Sequence, residues 1–306
     1  MRMRRRAALA MLVMLVPGGT HAQNRGRGPV ILDLPASTTA LAMGNAFQLS
    51  GVSSEAIFYN PALLLRATGF GLAAQRFGSQ SNALALSGAT SWWKGAVGVG
   101  LQTLSYSTSA TTPQGIAEGQ GDLLTGGPTA VSELAATLGY AHELFGVRWG
   151  VAGKLIEQRM AGSKDALPAV DFGAAFRLGA ITVGLAAQNL GPDLKVGGVE
   201  TDLANRVTAG ASFQRRPLGP LDLGASAAVT RLEDGTVIPA LGGEVAWWPV
   251  SGRTFIGRIG ARRVRDDTAH SITFGGAFVG DAITIEYAFQ GFEDLDGAHR
   301  FSVSWR

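Results

Sequence analysis

The chain has 306 residues, 43 of them glycine and only 16% charged, with no cysteine. A length beyond about 250 residues in one domain favours a barrel or sandwich over a compact bundle. The lack of cysteine excludes disulfide scaffolds, thiol enzymes, iron–sulfur clusters and zinc knuckles, and 46% hydrophobic residues exclude wholesale disorder.

The chain opens with Arg2, Arg4, Arg5 and Arg6, followed by an apolar run over 7–16, Pro17-Gly18-Gly19 and the small-residue site Thr20-His21-Ala22. A charged n-region, a short h-region and an A-x-A-like cleavage site predict a secretory signal peptide over residues 1–22. Its removal takes four of 26 basic residues and none of the 23 acidic ones, moving the net charge from +3 to −1. The sequence pI of about 9.5 therefore belongs to the export segment, and no nucleic-acid partner is expected. The h-region follows the arginines without the flanking pattern of twin-arginine export. No cysteine follows the cleavage site, which excludes a lipoprotein anchor. Beyond residue 22 no stretch reaches the ~18 apolar residues of a membrane-spanning helix.

Residues 23–68 do not alternate. They read as short helical pieces with a turn at Asn60-Pro61. So apolar a segment needs a place to bury, which the lumen of a wide barrel offers. The segment is thus predicted to be a hatch or plug; the alternative is a mobile periplasmic leader.

From Gly69 to the end the sequence has period two. Val147, Trp149, Val151 and Leu155 alternate with Arg148, Gly150, Lys154 and Gln158; Ile283, Ile285, Tyr287 and Phe289 alternate with Thr284, Glu286 and Gln290. Runs near 69–77, 81–90, 92–106, 131–144, 146–159, 168–178, 180–190, 204–215, 220–231, 237–249, 253–264, 269–280, 281–291 and 298–306 give about 14 strands. The number is even, and many runs approach the 9–11 residues of a tilted membrane strand. The even-numbered connections are nearly all tight, whereas the odd-numbered ones tend to be longer, 107–130 most of all. That asymmetry is expected of an exported barrel with short periplasmic turns and long extracellular loops. Trp92, Trp93, Trp149, Trp247, Trp248 and Trp305 all fall near the short-turn end, where an interfacial girdle would lie. The predicted fold is a closed antiparallel transmembrane β-barrel over 69–306, with a partly helical plug over 23–68. It would sit in the outer membrane with both termini periplasmic.

The run Ala40-Leu41-Ala42-Met43-Gly44-Asn45-Ala46-Phe47, followed by Ala56-Ile57-Phe58-Tyr59-Asn60-Pro61-Ala62-Leu63, resembles the N-terminal hatch signature of the PorV/PorQ family. That family is related to FadL-like outer-membrane transporters of fatty acids and other hydrophobic compounds. Asp171-Phe172-Gly173-Ala174 with Gln188-Asn189-Leu190-Gly191 resembles its mid-barrel hairpin; Glu286-Tyr287-Ala288-Phe289 with 299–304 resembles its closing hairpin. The resemblance implies a 14-stranded barrel and assigns Asn60, Pro61 and Ala62 to the hatch motif. Two departures stand out. Arg306 follows Trp305 where such chains commonly end on an aromatic, and the acidic pair that often precedes the hatch motif is reduced to Glu55.

No nucleophile, metal or cofactor site emerges. His142 lies near a short turn with the parity of Leu138 and Tyr140, while His270 and His299 belong to the opposite end. None has an orienting carboxylate with a matching serine. Asp266-Asp267 and Glu293-Asp294-Asp296 read as loop-solvating charges rather than Ca²⁺ ligands. By parity Lys154, Arg258, Arg262 and Glu286 point into the lumen. They read either as an ion-pair network that holds the plug or as a polar filter that meets a substrate carboxylate.

Two functions from different classes follow. The PorV/PorQ resemblance implies a structural or carrier barrel of a type IX-like secretion system, with secretion components or secreted cargo as partners. The alternative is a FadL-like transporter of long-chain fatty acids or other hydrophobic small molecules. The carrier predicts a sealed lumen and apolar loop tips; the transporter predicts a continuous apolar pocket between hatch and wall. Outer-membrane lipid is a partner in both.

Overall fold

The structure, a computed structural model, describes residues 26–46, 53–77, 81–108, 129–160, 162–196, 199–264, 269–293 and 297–306. The predicted signal peptide, most of the 107–130 connection, Asp266-Asp267, Asp294 and Asp296 lie outside the described residues.

Strand β1 (Gly26–Arg27) precedes a plug of short helices. The barrel follows as β2 (Gly69–Phe77), β3 (Ser81–Trp92), β4 (Gly95–Thr108), β5 (Thr129–Leu144), β6 (Val147–Met160), β7 (Ser163–Leu178) and β8 (Ile181–Leu190). Short strands β9 (Leu194–Val196) and β10 (Val199–Asp202) interrupt it. It resumes with β11 (Arg206–Leu218), β12 (Leu221–Leu232), β13 (Val237–Val250), β14 (Arg253–Arg262), β15 (Ala269–Val279), β16 (Ile283–Phe292) and β17 (Ala298–Trp305). Each barrel strand pairs antiparallel with its chain neighbour, β8 with β11 across the interruption, and β17 closes on β2 from Ala298↔Phe77 to Trp305↔Phe70. The result is a closed barrel of 14 strands. Closure leaves no unpaired ladder groups at an edge, which is the condition for strands to cross hydrocarbon.

The two faces of the wall differ as the alternation predicts. Leu138 is 64% exposed and Leu241 63%, both outward, whereas the inward Thr137 and Ala240 on the same strands are buried. Side chains on the inner face are mostly small. An exterior of contiguous apolar residues on this scale has no stable arrangement in water.

Five of the even-numbered connections are two-residue turns, and the twelfth has three residues. At Phe145-Gly146 both residues take positive φ, 54° and 77°. That is the twist a two-residue hairpin requires. All six tryptophans lie beside these turns or at the closing strand end and are exposed, Trp93 to 83%. Trp247 stacks at a tilt on Phe255, and Trp305 on Phe70.

The structure departs from the sequence reading in two places. The fifth connection is as tight as the even ones, because β7 begins at Ser163 rather than near 168. Charged Lys164 and Asp165 and the proline at 168 hide the strand from a periodicity test. The β6–β7 ladder nevertheless continues through Pro168↔Leu155 to Ser163↔Met160, and Lys164 pairs with Glu157 at 2.8 Å. The seventh connection is long, as expected, but carries structure of its own. There β10 pairs antiparallel with β9 and parallel with β1, forming a three-stranded sheet.

A charge placed on the outer wall should cost stability according to its height. Leu138→Arg, at mid-strand, is expected to lower unfolding free energy by about 2–4 kcal/mol in lipid vesicles, and Trp93→Arg by about 0–1 kcal/mol. Urea titration of vesicle-inserted protein measures both.

Candidate functional site

The site is built from the plug outward. A 3₁₀ turn at Val30–Leu32 is followed by helix α1 (Thr38–Ala42), whose first turn is capped by Ser37 Oγ accepting from Ala40 N at 3.2 Å. A second 3₁₀ turn spans Ser54–Phe58. Asn60 caps a third, Pro61–Arg66, by accepting from Ala62 N at 3.0 Å. The Asn60-Pro61 turn expected from the sequence is thus a helix start, with Pro at the one position where its missing N–H costs nothing. Asn60, Pro61 and Ala62 are all buried.

Glycines on the inner wall let the plug touch backbone. A Cβ on Gly173 would collide with Asn60 Oδ1, and one on Gly150 with the backbone of Pro61 and Ala62. On the far side a Cβ on Gly260 would strike the backbone of Met43 and Gly44. Asn60 Nδ2 also donates to wall carbonyls of Ala174 and Leu185, at 3.3 and 3.4 Å. The hatch motif is therefore seated in the wall rather than merely enclosed by it.

Three polar clusters tie plug to barrel. In the first, Lys154 pairs with Asp171 at 2.8 Å and donates to Asn189 Oδ1 at 2.7 Å; the neighbouring Gln188 donates to Phe58 O of the plug at 2.8 Å. In the second, Arg258 on β14 reaches across β15 to Glu286 on β16 at 2.7 Å. Glu286 also accepts from Thr39 Oγ1 of α1 at 2.7 Å. Arg258 and Arg215 share Glu244, at 3.3 and 3.4 Å. In the third, Arg300 donates to Gln75 Oε1 at 3.0 Å and to the plug carbonyl of Ala36, while Tyr59 OH accepts from Ala36 N and Ser37 N.

Of the four inward charges read from parity, the structure brings Arg258 and Glu286 together. Lys154 belongs to a separate cluster. Arg262 forms no ion pair among the described residues and donates to Gln290 Oε1 at 3.1 Å. His142 faces outward, in contact with Lys94 O, and His299 contacts Tyr287 OH on the outer wall.

The long-loop end of the lumen differs from the rest. There the inward side chains of β2–β7 are mostly apolar, among them Phe77, Ala83, Leu104, Val131, Ile156 and Leu167. Ile31 and Leu32 of the plug fill this chamber, and Leu194, Val196 and Leu203 of the β9–β10 insert cover it. A lumen open to water would be polar here. Within the chamber lies one buried carboxylate, Glu133, which accepts from Ile31 N at 2.7 Å, Gln158 Nε2 at 2.8 Å and Tyr106 OH at 3.0 Å. Neutral donors alone hold it.

Neither the models of known protein families nor the curated proteins give a match to this chain. Solved structures do. The toluene transporter TodX of Pseudomonas putida aligns with a TM-score of 0.60 at 13% identity, covering 92% of this chain and 98% of its own. The toluene transporter TbuX of Ralstonia pickettii aligns at 0.57 and 12%, covering 88% and 98%. A FadL homologue of Pseudomonas aeruginosa aligns at 0.53 and 10%, covering 89% and 98%. The fold is theirs. At such identities the likeness concerns architecture alone: a FadL-like 14-stranded barrel with an N-terminal helical segment.

Sequence reasoning missed Glu133, Asp171, Glu244 and Arg300, although strand parity alone would have turned each of them inward. It had no signal for Thr39 or the Ala36 carbonyl, whose roles arise only from where the plug lies.

Two outcomes test the anchors. Asp171→Ala leaves Lys154 buried without its carboxylate and should cost about 3–5 kcal/mol, whereas Lys154→Met with Asp171→Leu should restore most of it; urea midpoints in vesicles decide. Glu55, buried in the plug and near Glu286, has its carboxyl pushed up to about 7 from the ordinary 4.5, against the pull of Arg300, a Ser37 hydrogen bond and Arg258. A raised acid favours the folded form while protonated. Plug stability should therefore fall as pH rises from about 4.5 through 7, by about 3 kcal/mol at most. Protease access to the plug should be greater at pH 8.5 than at 5.5, and Glu55→Gln should flatten the difference.

Proposed function

We infer that the protein is an outer-membrane channel for hydrophobic small molecules. The observation that carries the reading is the apolar inner wall at the long-loop end; Ile31, Leu32 and the β9–β10 insert fill and cover it, so among the described residues a plugged apolar chamber stands where an open pocket between hatch and wall was expected of a transporter. A water-filled pore has no use for Leu104, Val131, Ile156 and Leu167 turned inward, whereas a hydrocarbon or acyl chain gains about 25 cal/mol per Å² of apolar surface it buries there. The architecture shared with toluene transporters supports the same reading. The ligand takes the place of Ile31 and Leu32, so entry requires the 30–34 segment to leave the wall.

In this reading residues 1–22 are the removed export segment, 23–68 the plug and 69–306 the barrel. Both termini lie in the periplasm and the long loops outside. Trp92, Trp93, Trp149, Trp247, Trp248 and Trp305 form the interfacial girdle. Asn60, Pro61 and Ala62 lock the hatch, Glu286 holds it through Thr39, and Lys154, Arg258 and Arg262 brace the wall around it rather than filtering a substrate. The protein does no covalent chemistry. A carrier role in secretion, which the PorV/PorQ resemblance implies, receives less support. Structural likeness runs to small-molecule channels, and the chamber is built at the hatch rather than at loop tips.

Expression in a Gram-negative host lacking its own hydrocarbon and fatty-acid channels tests the proposal. Uptake of radiolabelled toluene or oleate should rise several-fold over the host background. Leu104→Asp and Val131→Asp, which place a charge on the chamber wall, should return it close to background. Uptake no faster than in the empty host, with a secreted protein co-purifying, would replace the channel by the carrier.

A further inference from the structure

On the outer wall the side chains of β11–β14 form a depression. Ala225 on β12 pairs with Gly243 on β13, and this small pair is flanked by Phe213 on β11 and Ile259 on β14. One rung toward the long-loop end, Ala211 and Ala227 lie beside the bulky Leu241. Phe213 and Ile259 are outward and exposed, so the two form ridges with almost bare backbone between them. The groove they enclose has a volume of about 540 Å³ and is apolar.

Followed toward the long-loop end, the same columns of outward residues finish in cations. On β12 the column runs Ala227, Val229, Arg231. On β14 it runs Ile259, Ala261 and then Arg263, whose backbone N donates to Pro239 O at 3.1 Å and extends the ladder. Arg231 is level with Val237 on β13 and Arg263 with Pro239, so the two arginines flank one strand about 12 Å apart, two strand spacings across and two residues along. Both are exposed, and neither makes an ion pair among the described residues. The carboxylates of the intervening turn are otherwise engaged: Asp234 Oδ1 accepts from Thr236 N at 2.8 Å, and Glu233 interacts with Asn205.

An apolar groove that ends in two exposed guanidiniums, neither ion-paired among the described residues, matches a lipid that carries both acyl chains and phosphate. Chains fill the depression by dispersion contact. Guanidinium binds phosphate through paired N–H donors, a geometry that a neutral headgroup does not satisfy. We propose that this face of the barrel binds a phosphorylated, multiply acylated lipid, its chains between Phe213 and Ile259 and its phosphates on Arg231 and Arg263. The proposal rests on the membrane reading above. With the long loops outside, the leaflet beside these arginines is the outer one, whose phosphorylated lipid is lipid A.

Native mass spectrometry of the full mature barrel, delipidated in detergent and titrated with hexa-acyl lipid A, phosphatidylglycerol or phosphatidylcholine, tests it. Lipid A should be retained at least about tenfold better by the wild type than by Arg231→Glu/Arg263→Glu, the change expected from losing charge-assisted contacts. Ala225→Leu/Gly243→Leu, which fills the groove, should lower retention of lipid A similarly. Phosphatidylcholine binding should not respond to the charge reversal. Stronger retention of phosphatidylglycerol than of lipid A, even with the same response to both variants, overturns lipid A as the occupant. Equal retention of all three lipids by the wild type, or unchanged retention in either variant, overturns it. Heat-modifiable migration on gels confirms that each variant is a folded barrel. Toluene uptake measured in parallel separates the two proposals, since failed uptake with intact lipid selectivity removes the channel and leaves the lipid site.

Discussion

Everything in this protein follows from a ring whose two faces meet different media. A strand's side chains alternate strictly, so once the outward residues are apolar, the inward ones must accommodate whatever occupies the interior. Fourteen strands make a ring too wide for inward alanine, serine and glycine to fill. The vacancy is filled from the same chain, by some forty residues that have no alternation and no solvent-exposed face of their own. Barrel and plug are each incomplete alone.

The fit is achieved by removing side chains rather than adding them. Gly150, Gly173 and Gly260 give up their Cβ so that helix starts and turns of the plug reach the wall's backbone. Such contact brings buried polar groups with it, and each requires a partner. The three clusters around Lys154, Glu286 and Arg300 meet that requirement by joining groups of the wall to carbonyls and hydroxyls of the plug. Buried ion pairs of this kind add little net stability, but losing one member is costly. They fix the plug's position more than they strengthen the fold.

Against this polar scheme the long-loop end is distinct. Its wall is apolar, its filling is Ile31 and Leu32, and its single carboxylate, Glu133, grips the Ile31 amide. A segment held by a few neutral hydrogen bonds and by apolar contact is easier for a hydrophobic guest to replace than one held by ion pairs. Polar clusters fix α1 and the Asn60 turn, while the Ile31-Leu32 segment rests on apolar contact and on Glu133.

Much of the wall was legible in the sequence because alternation is local. Each strand declares its faces without reference to any other, as in 147–158, and turn residues such as Phe145-Gly146 mark the hairpins. Inward placement of Lys154, Arg258, Arg262 and Glu286 came from the same parity. The start of β7 escaped because charges and Pro168 break the pattern where the hairpin projects beyond the apolar band. Which inward groups meet was beyond local reading. Arg258 bonds Glu286 across an intervening strand, and Arg262 ends beside Gln290, pairings that depend on the curvature of the closed wall. The sequence by itself determined the faces, the number of strands and the presence of a segment in need of burial. Only the tertiary structure decided how that segment lies in the lumen and which end of it is apolar, because contacts between an irregular segment and a closed wall depend on shape in three dimensions, which no periodicity encodes.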